Sequence, residues 1–224
     1  MTEALTEAGD TGSAAPPSSS GTARNPEREL NLLVVIASVR QGRFGPVVAR
    51  WFEDEARRHG RFRIDVLDLA ETPLPADLPA GPAWEWPAQR SASQRELADR
   101  LAGADAVVVV TPEYNHSFPA SIKHLVDWHF TEWQAKPVGF VSYGGVSGGL
   151  RAVEQLRLVF AEMHAVTIRD TVSFDRFWER FGADGRPADA DGSGTAVKAM
   201  LDQLGWWAGV LAEARRRSPY QDGN

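Results

Sequence analysis

Residues Val107 to Val110 form an unbroken valine run behind Ala106, and the run ends at Thr111-Pro112. A short, β-branched, wholly apolar segment fits a strand buried on both faces, the kind found inside parallel sheets. Proline has no N–H for a sheet ladder, so the strand should stop there. Glu113, Tyr114, Asn115, His116 and Ser117 follow as a dense polar and aromatic set. Pro119 suits an early helical position, ahead of an apolar face made by Ile122, Leu125 and Val126. Strand, polar loop and helix in that order put the loop at the carboxyl edge of an open α/β sheet, where ligands bind.

The same alternation recurs along the chain. Leu30 to Ala37 reads as a buried first strand, followed by a helix from Pro46 that stops at His59-Gly60. Arg63 to Leu69 fits a second strand, and the Pro-rich residues 73–88, with Trp84 and Trp86, a surface excursion. Gln94 to Leu101 is an amphipathic helix leading to the valine strand. Pro137 to Ser142 is a fourth strand, and Leu150 to Phe160 a helix. Ala165 to Ile168 is a short fifth strand, residues 182–194 a Gly/Asp-rich loop, and about Ala196 to Arg215 a last helix. This pattern predicts an α/β doubly wound sandwich around a parallel sheet. Residues 1–28 lack apolar periodicity and are expected to be a disordered tail. That leaves one folded domain over 29–216 and a flexible C-terminus over 217–224.

Composition narrows the chemistry. The 224 residues contain no cysteine, which excludes disulfides, thiol catalysis and cysteine-ligated metal centres, so redox work would need a bound cofactor. A net charge of −6 argues against a broad nucleic-acid surface. No apolar run approaches a membrane span and the N-terminus lacks a secretory signal, so a cytoplasmic protein is expected.

Three loops carry the candidate chemistry. Ser38 to Gly45 opens a helix, where free amides and the helix dipole favour an anion, and Ser38, Arg40 and Arg43 are suited to phosphate oxygens. Its sequence is neither a dinucleotide fingerprint nor a Walker motif, so a monophosphate is the better match. In Thr111 to Ser117, Tyr114 could stack on a planar ring and Asn115 bond its edge, while Glu113 could instead receive hydrogen bonds from a partner subunit or a neighbouring helix. His116 invites a role as general acid, but acid–base work also needs a positioned partner, and a lone His in a polar loop is more often a surface or interface residue. Ser142 to Gly149 is glycine-rich, and its amides could meet developing negative charge.

Together, VVIASVRQGRFGPVVARW, VVVVTPEYNHSFPASIKHLVDW and KPVGFVSYGGVSGGLRAVEQLR resemble the NADPH-dependent FMN reductase family of flavodoxin-like proteins. The resemblance covers residues 31–172 and implies a five-stranded parallel sheet of order 2-1-3-4-5, bound FMN, and a homodimer or tetramer. It implies an FMN phosphate held by Ser38, Arg40 and the Arg43–Phe44–Gly45 turn. Pro112, Glu113, Tyr114 and Asn115 would flank the isoalloxazine, with Ser142, Tyr143, Gly144 and Gly145 along another edge. It also implies hydride transfer from NADPH, or NADH, to the flavin and on to free flavin, a quinone, an azo compound or a metal oxyanion. No side chain is assigned as catalytic. The chain departs from many members at Ala37, where they have Gly, at Arg43, where they have Ser, and at Gly45, where they have Asn.

Two other readings stay open on sequence: an FMN-binding electron carrier or sensor without nicotinamide turnover, and an interaction module that has lost the cofactor. Trp51 and Trp128 are expected in the core or an interface. Trp133, Trp178, Trp206 and Trp207 could line an acceptor pocket, though helical spacing favours packing. His124, Asp127 and His129 do not make a metal site without a third ligand and supporting shell.

Overall fold

The computed structural model describes residues 28–81 and 85–220. The expected tail through residue 27, Trp84 and residues 221–224 lie outside the described residues. Strands β1 (Leu30–Ile36), β2 (Phe62–Asp68), β3 (Ala106–Pro112), β4 (Pro137–Tyr143) and β5 (Val166–Phe174) form one sheet. All the pairings are parallel and the order is β2-β1-β3-β4-β5, as the resemblance implied. Helices α1 (Gly45–His59), α2 (Trp86–Gln89), α3 (Ala92–Gly103), α4 (Ala120–Trp128), α5 (Leu150–Glu162), α6 (Phe177–Arg180) and α7 (Ala190–Arg217) connect and follow the strands.

Alternation along the central strands sorts their side chains into two cores. Val34, Ile36, Val108 and Val110 pack with Val48 and Phe52 of α1 and Met200 and Leu204 of α7. Val35, Val107 and Val109 face the other way, onto Leu97 and Leu101 of α3, Leu125 of α4 and Leu156 and Phe160 of α5. The valine run is therefore buried on both faces, and Pro112 is its last strand residue. Trp51 and Trp128 are buried, and Trp133 is fully so, whereas Trp178 and Trp206 are exposed. The excursion after β2 is fastened to α4: the Trp86 and Trp128 rings lie 6.5 Å apart, and Trp128 Nε1 donates to the Pro75 carbonyl at 3.4 Å.

Three boundaries and one short helix stand out against the sequence expectation. Pro119 is the N-cap of α4 with extended backbone (ψ 145), so the helix begins one residue later. β5 continues to Phe174 because its register slips opposite β4, with Val138 facing Thr167 but Phe140 facing Thr171. Arg157 takes up the displaced carbonyls of Ile168 and Arg169 at 2.7 and 3.1 Å, and Gln203 takes the Asp170 amide at 3.0 Å. α7 starts at Ala190 because Asp189 caps it, accepting from the Gly192 amide at 2.9 Å despite two early glycines. The turn α6 was not expected at all.

At the amino edge, Lys136 is buried and donates to the carbonyls of Leu101 and Ala102 at the end of α3. Burial, with Arg215 nearby, brings its ammonium down to about 7, against the opposing pull of Glu132 and Asp105. Below that value both folded and unfolded chains carry the proton. Above it the unfolded chain still holds the proton, so the stability contribution rises with pH. Thermal melts should therefore show a stability increase from about pH 7 to about pH 9 that is absent in Lys136→Met. Parallel profiles for the two proteins would remove Lys136 as its source.

Candidate functional site

Because β3 lies between β1 and β4, the loops that follow these three strands meet at one stretch of the carboxyl edge. Ser38 lies at the bottom, fully buried, and its hydroxyl meets the Tyr114 hydroxyl at 2.7 Å, tying the first loop to the second. The second loop is tied to the third by Glu113 N–H, which donates to the Tyr143 carbonyl at 3.1 Å.

The first loop ends in α1, whose N-cap Phe44 offers no side-chain cap and whose first turn holds no acidic residue. The positive end of a 15-residue helix thus has neither a side-chain cap nor an acidic residue in its first turn. Gly45 is required there: a Cβ would stand 3.0 Å from Ile36 Cγ2 and 3.1 Å from the Tyr143 hydroxyl. Arg40 is exposed and forms no ion pair among the described residues. Arg43 is placed differently. Its Nη1 donates to the Ser38 carbonyl at 3.0 Å and to Asp68 at 2.5 Å, so it braces the loop against the end of β2. The hydrogen bond to Asp68 raises its already high pKa further, against the opposing effect of burial.

The second loop is a tight hairpin. Tyr114 and Ser117 exchange backbone hydrogen bonds at 2.8 and 2.9 Å, with Asn115 (φ 50) and His116 (φ 66) both left-handed between them. Two central residues at positive φ are most easily Gly or Asn, and His is among the few other side chains enriched in this region. Gln155 of α5 holds the turn in place, accepting from Ser117 Oγ at 2.6 Å and donating to the His116 carbonyl at 2.7 Å. Glu113 turns away from the cleft and accepts from Ser147 Oγ at 2.6 Å, Arg151 N–H at 3.1 Å and Arg151 Nη1 at 2.8 Å. It supplies the cap that Gly149, at the N-cap of α5, cannot. Burial alone would raise its carboxyl, but the bonds from Ser147 and Arg151 outweigh it and hold the pKa below the usual range. Of the two structural partners open for Glu113 on sequence, the neighbouring helix is the one observed.

In the third loop, Ser142 is buried and donates to the Gly148 carbonyl at 2.8 Å. Gly144 is buried, and a Cβ there would stand 3.0 Å from the Gly149 amide; Gly145 faces open space. The side chain of Tyr143, in the stretch whose backbone is expected along a ring edge, points inward. It is 3% exposed, with its ring edge-on to Phe44 and Phe177 at 6.3 and 5.4 Å. Its hydroxyl lies beside Ser38 and the Gly45 amide but makes a hydrogen bond with neither. Burial, with Tyr114 adding to it, drives this phenol well above its ordinary pKa. Residue types alone do not reveal this inward turn.

Beside the first loop lies a depression of about 270 Å³ lined by Val39, Leu69, Pro73, Leu74, Ser121 and His124. His124, Asp127 and His129 do not converge. His124 Nε2 accepts from Trp128 Nε1 at 2.8 Å, Asp127 pairs with Lys123 at 2.6 Å, and His129 Nδ1 meets the Leu125 carbonyl at 2.8 Å.

The sequence profile described as NADPH-dependent FMN reductase matches residues 30–179. The NAD(P)H-dependent FMN reductase of Schizosaccharomyces pombe is 36% identical over 119 residues, which is 53% of this chain and 60% of that protein. The match thus spans well under two thirds of that relative's length. The quinone reductase of Escherichia coli is 31% identical over 147 residues, 62% of this chain and 74% of that one. Among solved structures, the flavoenzyme NAD(P)H:(acceptor) oxidoreductase FerB of Paracoccus denitrificans superposes with a TM-score of 0.62 at 24% identity. That superposition covers 80% of this chain and 97% of that one, and it supports the fold.

The Glu113 cap sets an expectation for the site's framework. Replacing Glu113 by Gln removes a charged acceptor from the start of α5 and should cost about 1–2 kcal/mol of unfolding free energy at neutral pH. Its carboxyl pKa is depressed in the fold, so this contribution is present above the unfolded pKa and fades as pH falls through the folded one. Denaturant melts of both proteins at pH 7 and in acid measure it. Equal stability at pH 7 would show that the cap is redundant.

Proposed function

Since the chain belongs to the NADPH-dependent FMN reductase family, we propose that it is an FMN-dependent oxidoreductase. In this reading it moves hydride from NADPH, or NADH, to bound flavin and the electrons on to a second small-molecule acceptor. The observation that carries the reading is the meeting of three loops at one carboxyl edge, with an uncapped helix N-terminus at its phosphate end. The naming of the Escherichia coli relative as a quinone reductase favours a quinone among the candidate acceptors, which also include free flavin, azo compounds and metal oxyanions.

The residues present suit FMN. The amino end of α1 has neither a side-chain cap nor an acidic residue in its first turn, and Gly45 lets the backbone approach closely where a Cβ would collide. The Ser38 hydroxyl and the exposed Arg40 guanidinium would hold the phosphate, with Phe44 and Gly45 shaping its seat. Arg43 fixes the loop from behind through Asp68. Pro112, Tyr114 and Asn115 would flank the ring on one side and the Gly144–Gly145 backbone on another. Glu113 keeps that side rigid from outside.

Bound FMN supplies the capacity to accept a hydride from nicotinamide and release electrons to the second substrate. The chain's contribution is orientation and electrostatics. A Cβ on Gly145 would meet nothing within 4 Å, so a ring edge could come close to the backbone there, whose amides would then meet negative charge gained on reduction. Glu113 is committed to α5 and held below the usual carboxylate range, so this reading gives it no role as an acid. Among the described residues no helix is long and apolar enough to cross a membrane. The proposal includes a cytoplasmic homodimer or tetramer.

The purified protein should show flavin absorption bands after addition of FMN, and these should bleach with anaerobic NADPH or NADH. Bands that persist with both nicotinamides would favour an electron carrier, and no flavin uptake would overturn the reading. Arg40→Ala should weaken FMN binding by about 1–3 kcal/mol through loss of a charge-assisted phosphate bond. An unchanged affinity would take Arg40 out of the site.

A further inference from the structure

A buried hydroxyl without a partner destabilises the fold that contains it, so such groups call for an explanation. The Tyr143 hydroxyl is one, in a side chain that is 3% exposed. Its position is not arbitrary. The point where a Cβ on Gly45 would stand is 3.1 Å from this oxygen and 3.8 Å from Ser38 Cβ, so the phenol sits directly behind the first residue of α1 and behind Ser38. Phe44 and Phe177 pack against the ring edge-on, and the side chain cannot swing out to water without breaking that cluster. The helix in front of it carries no side-chain cap. An unpartnered donor, a fully buried serine and an uncapped 15-residue helix therefore converge on one spot.

We infer that Tyr143 is a positioning residue of the phosphate seat, setting the Ser38 hydroxyl and the Gly45 amide for a phosphate monoester and so separating FMN from unphosphorylated flavin. This rests on the FMN reading above and assigns Tyr143 a task other than lining the ring. A serine hydroxyl has one proton and two lone pairs. In the structure Ser38 Oγ meets the Tyr114 hydroxyl at 2.7 Å on its cleft side. When Ser38 accepts from Tyr143 behind it, its own proton turns toward the cleft, where a phosphate oxygen can take it. Tyr143 thereby gains the acceptor that it lacks, and an anion at the helix end completes the network. Burial, which keeps this phenol protonated, keeps it a donor. Riboflavin, with no phosphate, gains nothing from the arrangement.

The test is titration of the full-length apoprotein with FMN and with riboflavin, followed by flavin fluorescence, for wild type and Tyr143→Phe. The expected result is an FMN Kd raised about tenfold, the size of one modest hydrogen-bond contribution, with riboflavin affinity within about twofold of wild type. The apoprotein's melting temperature should stay the same or rise, because the variant removes an unsatisfied buried oxygen. An unchanged FMN Kd overturns the inference, and so does an equal weakening of both flavins with a lower melting temperature, which marks a packing role. Should Tyr143→Phe not fold, Gly45→Ala presses a methyl group against the same oxygen and should give the same FMN-selective loss; equal effects on both flavins would overturn the inference. A wild type that takes up neither flavin overturns the functional reading itself, whereas a wild type that binds FMN and a variant that binds it equally overturns only the role of Tyr143.

Discussion

The site depends on the backbone pairing of β3 with β1 on one side and β4 on the other. Parallel neighbours end at the same edge, so loops separated by roughly 30 to 100 residues of sequence are delivered to one place without any contact between their side chains being needed first. Burial makes this delivery robust. Val107 to Val110 face helices on both sides, and a one-residue slip would exchange the two cores. With the strands locked, only a few side chains are needed to join the loops: Ser38 to Tyr114, Glu113 to Ser147 and Arg151, and Gln155 to the hairpin.

Those joints divide the labour between fold and site. Glu113 and Arg43 carry charges that a reader of the sequence would assign to a ligand, yet both are engaged by the scaffold, one at α5 and one at Asp68. Their engagement holds the second and first loops from outside the cleft. In the proposed FMN reading, what would face the ligand is mostly backbone, the hydroxyls of Ser38 and Tyr114, and the exposed charge of Arg40. A flavin brings its own reactivity, so a site of this kind needs placement and fixed dipoles more than it needs acids and bases.

Much of this was legible in the sequence because it rests on local pattern. The valine run, the strand-to-helix alternation and the Pro46 and Gly60 boundaries of α1 are set by residues within a few positions of one another. The misses have a common cause. The length of β5 depends on a register slip relieved by Arg157 and Gln203, which come from two other elements. The early start of α7 depends on a cap from Asp189 that outweighs the poor helical propensity of Gly192 and Gly194. The inward turn of Tyr143 follows from strand alternation: it shares a face with Val141 and lies in the same core as Val110 and Phe174. Sequence position placed it correctly at the carboxyl edge, but the face it occupies is a property of the assembled sheet.

Three local departures lie at this same edge. His116 sits at positive φ where Gly or Asn is easier, Phe44 leaves a long helix uncapped, and Tyr143 buries a hydroxyl with nothing to bond. Other helix ends are closed by the chain itself: Ser91 and Gln94 form a full capping box on α3, and Gly60 closes α1 in the left-handed conformation. A chain able to cap α3 and α7 correctly could cap α1 by one substitution at Phe44. That it presents an aromatic residue and an orphan donor there instead is what a site built around an external anion would require, since any protein group filling the position would compete with the phosphate for it.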